Sequence, residues 1–220
     1  FLDNSLISKT TGRAPEGAFL FLSNGGVMMW STQSQEIYNL LDNEMVRTTL
    51  KWHFFKKYFA ESSNRVEILN QIAPVTFAIF QSVLLDDVIL SINRMLDRAD
   101  MGQNKNLVFE RLVSSIKSDE LNELASRLDE KLECINNSAQ NLRIKRNRRI
   151  SHNDLSTLQS VEEILPGITV ELINNVITSM IDFLNEASAS FTDVEKSYMF
   201  LDWGGQEPER FFRKLSTLID

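Results

Sequence analysis

Seven apolar residues in the middle of the chain, Leu121, Leu124, Leu128, Leu132, Ile135, Ala139 and Leu142, are separated by three, four, four, three, four and three positions. An α-helix puts residues at that spacing on one face, because its repeat is 3.6 residues and that of a strand is two. A stripe of about six turns cannot stay exposed to water, so the chain must supply other apolar stripes to cover it. It does. Ile37, Leu40, Leu41, Glu44, Met45, Thr48 and Trp52 follow three-and-four spacing from Ser34 into an aromatic cluster, Trp52 to Phe59. A second helix is predicted over about Arg65 to Leu96, kinked or split at Pro74. Shorter ones are predicted over Leu107 to Ile116 and from Pro208 to Leu218. Leu172, Val176, Met180, Phe183 and Leu184 mark another over Val170 to Ala187. The long stripe predicts a helix capped by Ser118 or Asp119 and persisting to about Ile150. No glycine falls between Val27 and Met101, which removes the turn signals a β-sandwich would need. The expected fold is all-α, an up-and-down bundle of four to five helices with a short C-terminal helical appendage and no convincing strand.

Residues 1–33 read as an N-terminal extension, non-native or partly irregular, 34–190 as the bundle and 191–220 as a helical tail. The chain opens on Phe1, and Phe1 to Val27 carry no part of the functional argument. Lone Cys134 excludes an internal disulfide and a cysteine-rich zinc site, and points to a reducing, cytoplasmic setting. His53 and His152 are the only histidines, so no metal site and no cofactor are expected. A net charge of −7 argues against non-specific coating of nucleic acid but leaves room for a local basic site. The most apolar stretch, Ile72 to Ile92, is interrupted by Gln81, Asp86 and Asp87, so no membrane span is expected.

Extending the long stripe four residues beyond Leu142 lands on Arg146, and four more on Ile150. A guanidinium at a core-facing position is costly unless paired or reaching a polar cavity. One solution is a buried ion pair with Asp87 or Asp97. The other is a functional arginine. Arg143, Lys145, Arg148 and Arg149 surround it, with no acid from Ala139 to Asn153. Such a spot attracts anions, although a helix C-terminus also favours cations for its own sake. His152 follows, where a helix C-terminus would keep an imidazole protonatable near neutral pH. Arg146 and His152 are six residues apart, roughly 120° out of phase on a continuous helix. Both can face one substrate if the helix breaks near Ser151, or if two chains each lend a residue across a two-fold axis.

The run Arg146-Asn147-Arg148-Arg149-Ile150-Ser151-His152-Asn153-Asp154 resembles the signature of the HEPN superfamily, close to its AbiU-type abortive-infection branch. Leu84 to Asp97, with Leu90, Arg94 and Asp97, is similar to that branch as well. Ser151 stands where the family more often has Ala. The resemblance implies a helical bundle, often a homodimer, whose two motifs line a shared cleft. It implies metal-independent RNA cleavage of a phage-defence or toxin-antitoxin type. In that role His152 handles protons, Arg146 stabilises phosphorane charge and Asn147 orients the pair. Arg143, Lys145, Arg148 and Arg149 would draw in RNA, with Arg94, Asp97 and Asp154 as supporting polar groups. The partners would be RNA, a second copy of the chain, and an antitoxin or other defence-system protein. The second class of function is a non-catalytic helical module that binds RNA, a nucleotide or a protein at the same place.

Other candidates read as structural. His53 lies in the aromatic cluster and Cys134 sits one residue off the stripe. Asp86 and Asp87, being adjacent, face different ways. Arg94 and Asp97 have the spacing of a helical ion pair. Trp52, Phe55, Phe77, Phe80 and Phe183 are expected in the core.

Overall fold

The computed structural model describes residues 30–102, 104–150, 167–190 and 206–219. The chain is all-α. Helices α1 (Thr32–Phe55), α2 (Ser63–Ile72), α3 (Pro74–Met95), α4 (Phe109–Ser118), α5 (Asn122–Ser138), α6 (Gln140–Lys145), α7 (Val170–Ser188) and α8 (Glu207–Ile219) follow in order. Five-residue π-helical turns extend two of them, Lys56–Ala60 after α1 and Arg146–Ile150 after α6. The connector after α3 adds a two-residue antiparallel pairing, β1 (Asp100–Met101) with β2 (Asn104–Lys105), reversed at Gly102 with φ +64°.

Helix α1 packs against α3, α4 and α7, and α5 packs against α4 and α7. The long stripe holds: Leu121, Leu124, Leu128, Leu132, Ile135, Ala139 and Leu142 are all buried. Facing it are Phe109 of α4 and Phe183 of α7, stacked with ring centroids 4.7 Å apart. Ile37, Leu41, Met45, Thr48 and Trp52 of α1 are buried, but Leu40 is exposed because the helix turns it past the edge of the apolar face. The predicted helix over 65–96 is divided at Pro74. Proline cannot donate an amide bond to the preceding turn, so Ala73 leaves helical geometry and Pro74 starts α3 afresh.

The expected cap of α5 is corrected. Neither Ser118 nor Asp119 caps it, and Leu121 occupies the cap position without a side-chain bond. Helix α4 ends instead in a Schellman-type turn: Glu120 sits at φ +63°, its amide donating to the Lys117 carbonyl and the Leu121 amide to that of Ile116. That geometry turns the Asp119 carboxylate toward α1, where it accepts from the Ser31 amide (3.0 Å) and the Ser34 hydroxyl (2.6 Å). An anion there also complements the positive end of the helix dipole.

Helix α3 has two characters. Val88, Ile89, Ile92 and Met95 lie in the core, whereas Val75, Ile79, Phe80 and Val83 are exposed. Phe80, expected in the core, is 57% exposed because the core covers the C-terminal half of α3, whereas in the N-terminal half it is Phe77 that turns toward Phe211 of α8. By length and composition α3 could cross a membrane, so Gln81, Asp86 and Asp87 exclude less than the sequence reading supposed. Its C-terminal half packs in the core, and Asp87 pairs with Lys51 of α1.

Candidate functional site

The long stripe does not end in one continuous helix. Asn136, Asn137 and Ser138 form helices poorly, and the Ser138 hydroxyl donates back to the Cys134 carbonyl at 3.0 Å, a bond that bends helices. Ala139 adopts φ −83°, ψ 1° and marks the bend between α5 and α6. The chain then widens into the π turn at Arg146–Ile150. Such turns insert a residue into the helical repeat and recur at functional sites. The angular offset computed for a continuous α-helix therefore does not carry through Ile150. The chain is still helical at Ile150, and the expected break near Ser151 lies outside the described residues.

Arg146 is where the stripe put it, facing inward with its side chain 18% exposed. Its Nη1 donates to both oxygens of Asp97, each at 2.7 Å. Its Nε donates to Oδ1 of exposed Asn147 at 2.9 Å. Of the two carboxylates considered from sequence, Asp97 is the partner, and Asp87 belongs to Lys51. The expected Arg94–Asp97 pair is corrected: Asp97 follows the end of α3, out of helical register with exposed Arg94, and turns to Arg146.

One turn earlier, Arg143 donates through Nη2 to the Leu96 carbonyl (3.1 Å) and to Asn136 Oδ1 (3.0 Å). Two arginines three residues apart thus hold two successive residues at the end of α3. Arg143 takes the backbone of Leu96 and Arg146 the side chain of Asp97. Lys145 lies 4.0 Å from Asp86. Arg149 is exposed and Arg148 half-buried. His152 and Asp154 lie outside the described residues.

A cleft of about 720 Å³ opens beside this ion pair, lined by Leu96, Asp97, Arg98, Leu132, Arg143 and Arg146 together with Glu110, Asp129, Glu133 and Asn136. The sequence reading missed the last four. Asp129, Glu133 and Asn136 recur every three or four residues on the α5 face next to the stripe, which was the available signal. Asn136 fixes Arg143, and Glu110 accepts the Ala99 amide at 2.7 Å. Among the described residues no group of three or more His, Cys, Asp or Glu could hold a metal ion.

His53 stays apart from this site. Burial and the neighbouring Lys57 and Lys56 push its pKa below the ordinary value. Its Nε2 is buried with no hydrogen-bond partner among the described residues, as befits a packed histidine in an aromatic cluster. Cys134 is exposed.

The described residues thus form an all-α bundle with an inward arginine and its asparagine neighbour at the end of a core helix. The family model HEPN_AbiU2, described as AbiU2, matches residues 32–202, and the chain belongs to that abortive-infection HEPN family. Neither the curated proteins nor the solved structures give a match to it.

Proposed function

We propose that the protein is a metal-independent endoribonuclease of a phage-defence or toxin-antitoxin type system, acting in the cytoplasm on RNA at the Arg146–Asn147–His152 motif. The observation that carries this reading is Arg146: a guanidinium on a core stripe, oriented by Asp97 and Asn147, at the wall of an open cleft. In the reaction the ribose 2′-hydroxyl attacks the adjacent phosphorus and the 5′-oxygen of the next nucleotide leaves. His152 takes the proton from the 2′-hydroxyl and returns one to the leaving oxygen. Arg146 stabilises the negative charge that builds on the phosphorane oxygens. Arg149 and Lys145 draw the RNA backbone toward the turn. The functional unit is a homodimer in which two motifs line one cleft, an arrangement the HEPN resemblance supports.

The test is incubation of the purified protein with RNA in excess chelator. Cleavage should continue and leave 2′,3′-cyclic phosphate and 5′-hydroxyl ends. Loss of cleavage in chelator, restored by Mg²⁺, would overturn the mechanism. One observation favours a second reading, a non-catalytic binding module. The charge of Arg146 is already matched by Asp97, so the arginine has a structural explanation without catalysis. Binding of RNA without turnover under any condition would select it.

A further inference from the structure

The way Asp97 holds Arg146 is asymmetric. Both carboxylate oxygens converge on a single nitrogen, Nη1, while Nε goes to Asn147 and Nη2 takes part in neither bond. A guanidinium fully committed to a carboxylate would meet it with two parallel N–H bonds from two nitrogens. Here the second edge of the fork is left out of the ion pair. The pair is also not sealed: the Asp97 side chain is 28% exposed, and both residues line the 720 Å³ cleft. The backbone on both sides of Asp97 is anchored, by Arg143 on the Leu96 carbonyl and by Glu110 on the Ala99 amide two residues beyond.

We propose that Asp97 is a positioning residue that also competes with substrate: it aims the Arg146 guanidinium into the cleft and must share Nη1 with an incoming RNA phosphate. This rests on Arg146 being the phosphate-binding group. Anion capture at this site is then an exchange, in which one negative partner of Arg146 gains a rival rather than an open cation gaining its first. Small anions at low local concentration do not win that exchange. A polyanion already drawn in by Arg149 and Lys145 does. The site is thereby biased toward nucleic acid over free phosphate, and Arg146 keeps its orientation between encounters.

The experiment compares the full chain with Asp97→Asn, which keeps the size and a hydrogen bond but removes the charge. A single-stranded RNA oligonucleotide with 2′-deoxy substitution, which cannot be cleaved, serves as the binding probe. Asp97→Asn should bind it roughly three- to tenfold tighter, since the competing charge is gone. The log-log salt slope should steepen by about 0.7, one further phosphate contact on a single strand. On cleavable RNA the same variant should lose kcat with unchanged or lower KM, because the arginine is no longer aimed. A merely structural Asp97 predicts weaker binding, an unchanged salt slope and a lower melting temperature together, and that result overturns the proposal. Should Asp97→Asn fail to fold, the wild-type chain decides alone. The Nε–H resonance of Arg146, followed by NMR, should move on addition of the uncleavable RNA but hardly on addition of equimolar inorganic phosphate. No movement with RNA, or equal movement with both, overturns the exchange. Wild-type protein that binds the probe in this way yet never cleaves RNA defeats the ribonuclease reading and leaves the role of Asp97 intact.

Discussion

The two π turns make a natural experiment. Lys56–Ala60 and Arg146–Ile150 are the same length, both continue a helix, and both are basic. Their surroundings differ. At the first turn, Glu61 and Glu209 answer Lys57 and Arg65 in a four-membered ring of alternating charge. Tyr58 packs against Phe211 and Phe212 of α8, and Arg65 lies over the Phe212 ring at 4.8 Å. The cations there fasten α8 to the bundle. At the second turn, among the described residues, Arg146 pairs with Asp97 and Lys145 makes a long contact with Asp86 just before it, while Asn147 and Arg149 stand exposed near a cleft. A wide helical turn rich in cations is thus not a site in itself. What separates the two among the described residues is the aromatic cover and the doubled acid pairing that α8 and Glu61 bring to the first.

That contrast can be broken most sharply by arginine deletion. Arg146→Ala should remove RNA cleavage by at least about a hundredfold, the scale of losing one transition-state donor. His152→Ala should do the same with less effect on thermal stability, because Arg146→Ala also strands Asp97. Turnover that survives either change would show that the chemistry lies elsewhere.

The mirror experiment is Arg65→Ala at the first turn. Arg65 is 17% exposed and donates to the Lys57 carbonyl at 2.7 Å besides meeting both glutamates. Its loss should lower stability by roughly 1–3 kcal/mol in a denaturant titration and leave RNA turnover per folded molecule unchanged. A matching fall in turnover would mean that the two turns are coupled.

Arg149→Ala should weaken RNA binding several-fold and flatten the log-log salt slope by about 0.7, with kcat little changed. A filter-binding series across salt concentrations measures it.

The smallest effect is with pH. Burial pushes the Glu209 carboxyl upward, but its own backbone amide, Lys57 and Arg65 outweigh this and hold it below the ordinary carboxylate range. A depressed carboxylate contributes stability that is full above its unfolded pKa and is lost as pH falls through the folded one. Docking of α8 should therefore weaken progressively below about pH 4.5. The hydrogen bond to Glu61, with Glu209 adding to it against the cost of burial, raises Lys57, so that contribution is present at neutral pH and fades only at strongly alkaline pH. Melting temperature against pH should show the acid loss in the wild type and a shallower one in Glu209→Gln.

Much of this was legible in the sequence, for a definite reason. The stripe from Leu121 to Leu142 specified the buried face and the inward aim of Arg146, because one period governs both, but not the bend at Ala139 that divides it between α5 and α6. Proline at 74 did announce a break. What was hidden depended on partners distant in the chain. The choice of Asp97 over Asp87 follows from where α3 ends. Asp119 was assigned to the wrong helix because a left-handed Glu120 is not predictable from residue type. Phe80 looked like core because apolar periodicity does not say which stretch of a helix finds a partner. The π turn itself has no sequence signal that separates it from ordinary helix.

Trp30 donates through Nε1 to the Ser190 hydroxyl at 2.9 Å, across 160 positions of sequence. The segment from Trp30 to Ser190 therefore begins and finishes at the same place, close to a closed loop. A circular permutant that joins Ser190 to Trp30 by a short flexible linker, and opens the chain in the connector at Gly102, should keep α1 to α7 and the basic turn in place without α8, which lies beyond Ser190. In that rearranged order α4, α5 and α6 would be the first segments to leave the ribosome, so the stripe that organises the core would also come first in time.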